Sequence, residues 1–132
     1  MIVVDASVLA NVIADDGHDG QAARACVRSA AYLMAPDLVD VETVSVLRRR
    51  WLAKDLTAPR FRAAVGDLES LQMIRCPTLP LMRRAYELRS TVTAYDAVYV
   101  ALAEGLACPL ATADERLVRA PGPRCTFEIV RA

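Results

Sequence analysis

A recurrence constrains this chain more than any other feature: a short apolar run, then a stretch with helical spacing, four times over. Ile2-Val3-Val4 precedes Ala6 to Ile13. Tyr32 to Ala35 precedes a helix that Pro36-Asp37 opens, with Asp37 as N-cap, and that runs to about Lys54. Met73 to Cys76 precedes a helix from Pro80 to about Ser90, and Pro109 to Thr112 precedes a helical turn or two from Ala113 to Arg119. Between these units lie an alanine-rich helix, Gln21 to Ala31, after the polar break Asp15 to Gly20, and a helix from about Thr57 to Leu71 with Pro59 in its first turn. A further helix is opened by Asp96 and ends near Gly105, a natural C′ residue; Thr126 to Val130 alternates as an edge strand would.

Strands alternating with helices specify an α/β fold, a parallel sheet covered on both faces with right-handed crossovers, and leave the pairing order open. At 132 residues and 55% hydrophobic content, residues 1–132 are expected to form one domain with an ample core. No run approaches the roughly 18 apolar residues of a membrane helix, and Asp5 interrupts Met1-Ile2-Val3-Val4 before it could serve a signal peptide. A soluble, cytoplasmic protein with no membrane partner is expected. Cys26, Cys76, Cys108 and Cys125 include no CxxC pair, and His18 is the only histidine, so the thiols read as core residues in a reducing compartment.

In such a fold the strands point one way and the helices run back the other, so a helix start lies at the carboxyl edge of the sheet, where ligands of open α/β sheets bind. Asp5 ends the first strand, Glu42 lies in the second turn after the second, Asp96 begins the helix leading into the fourth, and Asp114 follows the fourth. All four acids are expected at one edge. Three have a simpler explanation as well. Asp96 follows Thr93 at capping-box spacing, Asp114 precedes a helical turn, and Asp5 competes with Ser7 to cap the first helix. Glu42 resists that explanation: within a turn it has Leu38, Val39 and Val46, with Ser45 the only polar neighbour and Arg49 two turns away. An unpaired carboxylate there costs several kcal/mol or takes up a proton, so it needs a partner from elsewhere in the fold.

A divalent ion would supply that partner and hold the crowded acids ionised. Oxygen ligands without histidine or thiolate select a hard metal, Mg²⁺ with Mn²⁺ as substitute. Such a centre suits phosphodiester hydrolysis, since it lowers the pKa of an attacking water and polarises a phosphoryl oxygen.

The stretches VVDASVLANVI, DLVDVETVSVLRR, TAYDAVYVALAE and LATADERL, in this order, resemble the PIN domain, and in particular the VapC-type ribonuclease toxins of bacterial toxin-antitoxin pairs. The resemblance runs from Met1 to about Leu117. It implies a three-layer α/β/α sandwich around a mainly parallel sheet of four to five short strands. It also implies a Mg²⁺- or Mn²⁺-dependent endoribonuclease acting on RNA, inhibition by a cognate antitoxin, and a homodimer within a toxin-antitoxin hetero-oligomer. The family's acidic positions fall on Asp5, Glu42, Asp96 and Asp114, and its supporting hydroxyls on Ser7 and Thr112. Ser45 stands where many relatives have asparagine. A catalytically silent PIN-fold binding module is the alternative, against which four intact acids argue. A receiver-like signalling domain fails, because Asp5 stands alone and the only lysine, Lys54, precedes the third strand.

Basic and acidic residues balance at 16 each, which excludes a simple polycation, yet setting four acids aside on a metal leaves the remainder net basic and almost wholly arginine. Arg48-Arg49-Arg50 is ordinarily a solvated helix face; the functional readings are contact with RNA phosphates or with acidic groups of an antitoxin. Trp51 and Phe61 read as core or interface, and Tyr95 and Tyr99 are free to reach a base or to pack.

Overall fold

Val3 and Val4 are wholly buried because their strand, β1 (Ile2–Val4), takes the centre of the sheet in the computed structural model, which describes residues 1–132. The sheet has five strands in the order β3-β2-β1-β4-β5, with β2 Leu33–Pro36, β3 Ile74–Cys76, β4 Leu110–Thr112 and β5 Phe127–Ile129. Every pair is parallel, with Ile2 opposite Leu33, Val3 opposite Leu110 and Leu110 opposite Phe127. From β1 the chain builds outward through β2 and β3, then returns to place β4 on the other side. The order therefore reverses between β1 and β4, and the crevice at their carboxyl ends is where such a sheet binds ligands.

Seven helices surround the sheet: α1 (Ala6–Ala14), α2 (His18–Ser29), α3 (Val39–Leu52), α4 (Ala58–Ser70), α5 (Met82–Glu87), α6 (Ala94–Leu106) and α7 (Glu115–Arg119). α1 packs against α2, α3 and α4, while α6 packs against α5 and three strands, β1, β2 and β4. This is the three-layer arrangement expected. One hydrophobic cluster reaches from Ile2 to Val130, with Leu9, Leu47, Leu110 and Val100 at its fully buried heart. Each such side chain contributes about 1.5–3 kcal/mol through burial. α6 is apolar on nearly every side, Ala97 to Ala103 all being buried, which fixes its axis and the direction of anything at its head.

Several local expectations shift. Asp37 does not cap α3; its backbone N–H donates to the Cys76 carbonyl at 2.8 Å and so continues the β2–β3 ladder, and α3 starts two residues later without a side-chain cap. α2 begins inside the polar break, at His18, because Asp15 Oδ1 accepts from the N–H groups of Gly17 (2.8 Å) and Gly20 (3.1 Å) and organises the turn. The helix expected from Pro80 to Ser90 divides into a 3-10 turn, Leu79–Leu81, and the short α5. Gly105 lies within α6, and Ala107 adopts the left-handed C-cap conformation, φ 51°.

Candidate active site

Asp5 is the most constrained of the four acids. It is buried at the N-terminus of α1, where Oδ1 accepts from the Val8 N–H (3.1 Å) and the Ser7 hydroxyl (2.6 Å), and Oδ2 accepts from the Thr112 hydroxyl (2.5 Å). Three of roughly four lone-pair positions are thereby taken. Both hydroxyls do further work: Ser7 Oγ accepts from the Ala113 N–H at 3.1 Å and Thr112 Oγ1 from the Asp114 N–H at 3.0 Å. The two supporting positions expected from sequence thus stitch β1 and α1 to the end of β4.

The capping question resolves differently for each residue. Asp5 caps α1, and Asp114 caps α7 by accepting from the Arg116 N–H at 2.9 Å. Asp96 does not cap α6; Thr93 does, accepting the Asp96 N–H at 3.2 Å, so the Asp96 carboxylate is left for another use. It shares a cleft of about 260 Å³ with Asp114, Thr93 and Arg116.

Glu42 finds the partner its apolar surroundings require, and sequence reasoning missed it. The Tyr99 hydroxyl, from α6, donates to Glu42 Oε1 at 2.5 Å. Sequence could have offered one signal, a tyrosine one turn after Asp96 on a helix otherwise fit for burial, but nothing local aims it at residue 42. A phenol is a neutral donor, so it answers the hydrogen-bonding need of Glu42 without cancelling its charge.

The acids sense one another. Burial raises the pKa of Asp5 above its ordinary value against the pull of its three donors, and the nearby Asp96 charge adds to the rise. Glu42 is raised by burial, with Asp96 and Asp5 adding and the Tyr99 hydrogen bond and Arg49 opposing. Asp96 is raised by burial and by Asp114. Carboxylates from β1–α1, α3, α6 and β4–α7 therefore share one field, at the edge where they were expected.

No three His, Cys, Asp or Glu side chains converge closely enough to enclose an ion. The donor set is nonetheless all-oxygen, partly desolvated and mutually repulsive, which fits a hard divalent ion that keeps several waters and takes few direct carboxylates. The largest concavity, about 800 Å³, lies elsewhere, at Asn11, Arg50, Asp55 and Arg60, and contains none of the four acids. Carboxylate chemistry, rather than volume, locates the site.

The arginine cluster splits. Arg48 and Arg49 are exposed, whereas Arg50 donates to Asn11 Oδ1 at 2.7 Å and ties α3 to α1. Ser45 is exposed and makes no side-chain hydrogen bond to the acids. Trp51 and Phe61 form a tilted aromatic pair with ring centroids 6.5 Å apart. All four cysteines are free thiols, two buried and two partly so.

The PIN domain profile matches residues 2–123. Ribonuclease VapC9 of Mycobacterium tuberculosis (strain ATCC 25618 / H37Rv) is 41% identical over 130 residues, covering 98% of each chain. Ribonuclease VapC1 of the same strain is 38% identical over 130 residues, covering 98% of this chain and 97% of that one. Among solved structures, VapBC2 from Rickettsia felis bound to a DNA fragment from their promoter superposes with a TM-score of 0.68 at 13% identity, covering 98% of each chain, which bears on the fold alone. With its parallel sheet, its acids at the β1–β4 switch and relatives matched along almost its full length, the chain belongs to the PIN domain family, within the VapC ribonucleases.

Proposed function

We propose that this chain is the endoribonuclease toxin of a toxin-antitoxin pair, hydrolysing RNA phosphodiesters at the carboxyl edge of its sheet with Asp5, Glu42, Asp96 and Asp114 holding Mg²⁺, or Mn²⁺ in its place. The observation that carries this reading is the shared field of the four carboxylates, three of them raised by burial and by one another. A fold gains no stability from such crowding. A hydrolytic site gains a place for a cation and for a polyanionic substrate. When bound, the ion supplies a water of lowered pKa and charge neutralisation at the phosphoryl group.

The protein's own contribution is orientation. Ser7, Thr112 and the Val8 N–H hold the Asp5 carboxylate in one orientation, and Thr112 couples Asp5 to the segment carrying Asp114. The N-termini of α1 and α6 open at the same edge, and their partial positive charge favours a phosphate there. Arg48 and Arg49, exposed on α3, are suited to backbone phosphates or to acidic groups of the antitoxin. The substrate class follows from relatives named ribonucleases, and the antitoxin partner from a structural neighbour that is a VapBC assembly.

On this reading residues 1–132 act as one PIN domain in the cytoplasm, as a homodimer within a hetero-oligomer with the antitoxin. No helix is long and apolar enough to cross a membrane. The test is cleavage of total cellular RNA by the purified chain with Mg²⁺ or Mn²⁺ and with excess chelator. Metal-dependent fragments with defined 5′ ends are expected, and undiminished cleavage in chelator would overturn the proposal. Light scattering finding only monomer would remove the homodimer.

A further inference from the structure

Tyr99 is 1% exposed and stands one turn after Asp96 on α6, on the same side of the helix. Its hydroxyl has one partner, Glu42 Oε1, and Glu42 receives no other hydrogen bond or ion pair from the chain. At 2.5 Å the contact is in the range of a charge-assisted O–H···O⁻ bond. Only one carboxylate oxygen is used. A glutamate side chain has three rotatable bonds, and without an anchor it would have to be ordered afresh each time it bound an ion.

We infer that Tyr99 is a positioning residue: its hydroxyl grips Oε1 of Glu42 so that Oε2 is left free and pre-oriented for a divalent ion at this edge, directly or through one of the ion's waters. The inference rests on the metal-dependent reading of the site. Its further content is that α6 sets two ligand positions together, Asp96 directly and Glu42 through the phenol. Because Ala97 to Ala103 are buried around Tyr99, the helix cannot turn to release one without disturbing the other. The role parallels the outer hydrogen bonds that orient metal ligands generally, whose loss costs about 10- to 100-fold in metal affinity.

The experiment is titration calorimetry of the purified chain with Mn²⁺ alone, with circular dichroism melts in chelator alongside. Tyr99→Phe keeps the ring and removes only the hydroxyl, and is expected to weaken Mn²⁺ binding about tenfold while a cooperative melt persists. In a Glu42→Ala background the same substitution is expected to change the affinity less than about twofold, because the residue it acts through is gone. Glu42→Asp, which keeps the charge but withdraws it from the hydroxyl, is expected to weaken binding non-additively with Tyr99→Phe; should Tyr99→Phe fail to fold, Tyr99→Met, which also lacks the hydroxyl, takes its place with and without Glu42→Ala. Unchanged Mn²⁺ affinity in Tyr99→Phe, or equal weakening with and without Glu42, overturns the role of Tyr99 alone. A wild-type chain that takes up no Mn²⁺ overturns the metal reading itself.

Discussion

Thr112 donates its hydroxyl to Asp5 Oδ2 at 2.5 Å while accepting the Asp114 N–H at 3.0 Å, so one buried side chain at the end of β4 is bonded to two of the four site acids or their backbone. Thr112→Val preserves the shape and strips both bonds, leaving a buried carboxylate oxygen short of a donor. It should cost about 1–3 kcal/mol in urea unfolding and lower ribonuclease activity, while Thr112→Ser recovers most of both. Wild-type stability in the valine variant would mean that the hydroxyl is dispensable.

Asp96 is raised by burial and by the Asp114 charge, which together outweigh the opposing Thr93 hydroxyl and Arg116 charge. Asp96→Asn removes one of two crowded charges, so in chelator the variant should melt higher than wild type although it no longer cleaves RNA. Adding Mn²⁺ at about 100 times its Kd should stabilise the wild type by about 2.7 kcal/mol and the variant far less. Differential scanning calorimetry with and without the ion reads both effects; a variant that melts lower in chelator contradicts the repulsion argument.

Glu104 offers a pH test remote from these acids. Burial alone would raise its pKa, but it accepts from Arg84 Nε (2.7 Å), Arg84 Nη2 (3.2 Å) and the Arg124 N–H (2.7 Å), and these hold it below its ordinary value. A carboxylate depressed in the folded state stabilises it above the unfolded pKa and ceases to as pH falls through the folded one. Glu104→Gln should therefore cost about 1.5–3 kcal/mol at pH 7, and the gap to wild type should close only as pH drops below the ordinary glutamate value of 4.5. A gap independent of pH between 7 and 3 would show that charge is not what Glu104 contributes.

Arg48 and Arg50, two residues apart, should behave differently. Arg50→Ala breaks the bond to the largely buried Asn11 and should lower stability by about 1 kcal/mol. Arg48→Ala should leave stability unchanged and, where it contacts a phosphate, reduce the slope of log K against log salt for RNA binding by about one. Binding isotherms at several salt concentrations, paired with thermal melts, separate the two.

At Ala107 the left-handed backbone, φ 51°, penalises any Cβ. Ala107→Gly should raise stability by about 0.5 kcal/mol, the strain relieved exceeding the added chain entropy of glycine. A loss of stability in chemical denaturation would contradict this.

The sequence by itself determined what is local. Apolar runs, helical spacing and N-cap chemistry put β1 before α1, a helix over most of α6 and an acid at each site-facing turn, because periodicity and capping are written within a few residues; that Thr93 rather than Asp96 heads α6 came from the structure. Short-range reading also had limits: Asp37 looks like a cap and serves the β2–β3 ladder, since its role depends on a strand 39 residues further on reaching Cys76. Only the tertiary structure decided the order β3-β2-β1-β4-β5, and with it that Asp5 and Thr112, 107 positions apart, would touch. It alone decided that the partner of Glu42 would be Tyr99, 57 positions away. Those contacts follow from which strands pair and which helix faces meet, and sequence spacing carries no record of either.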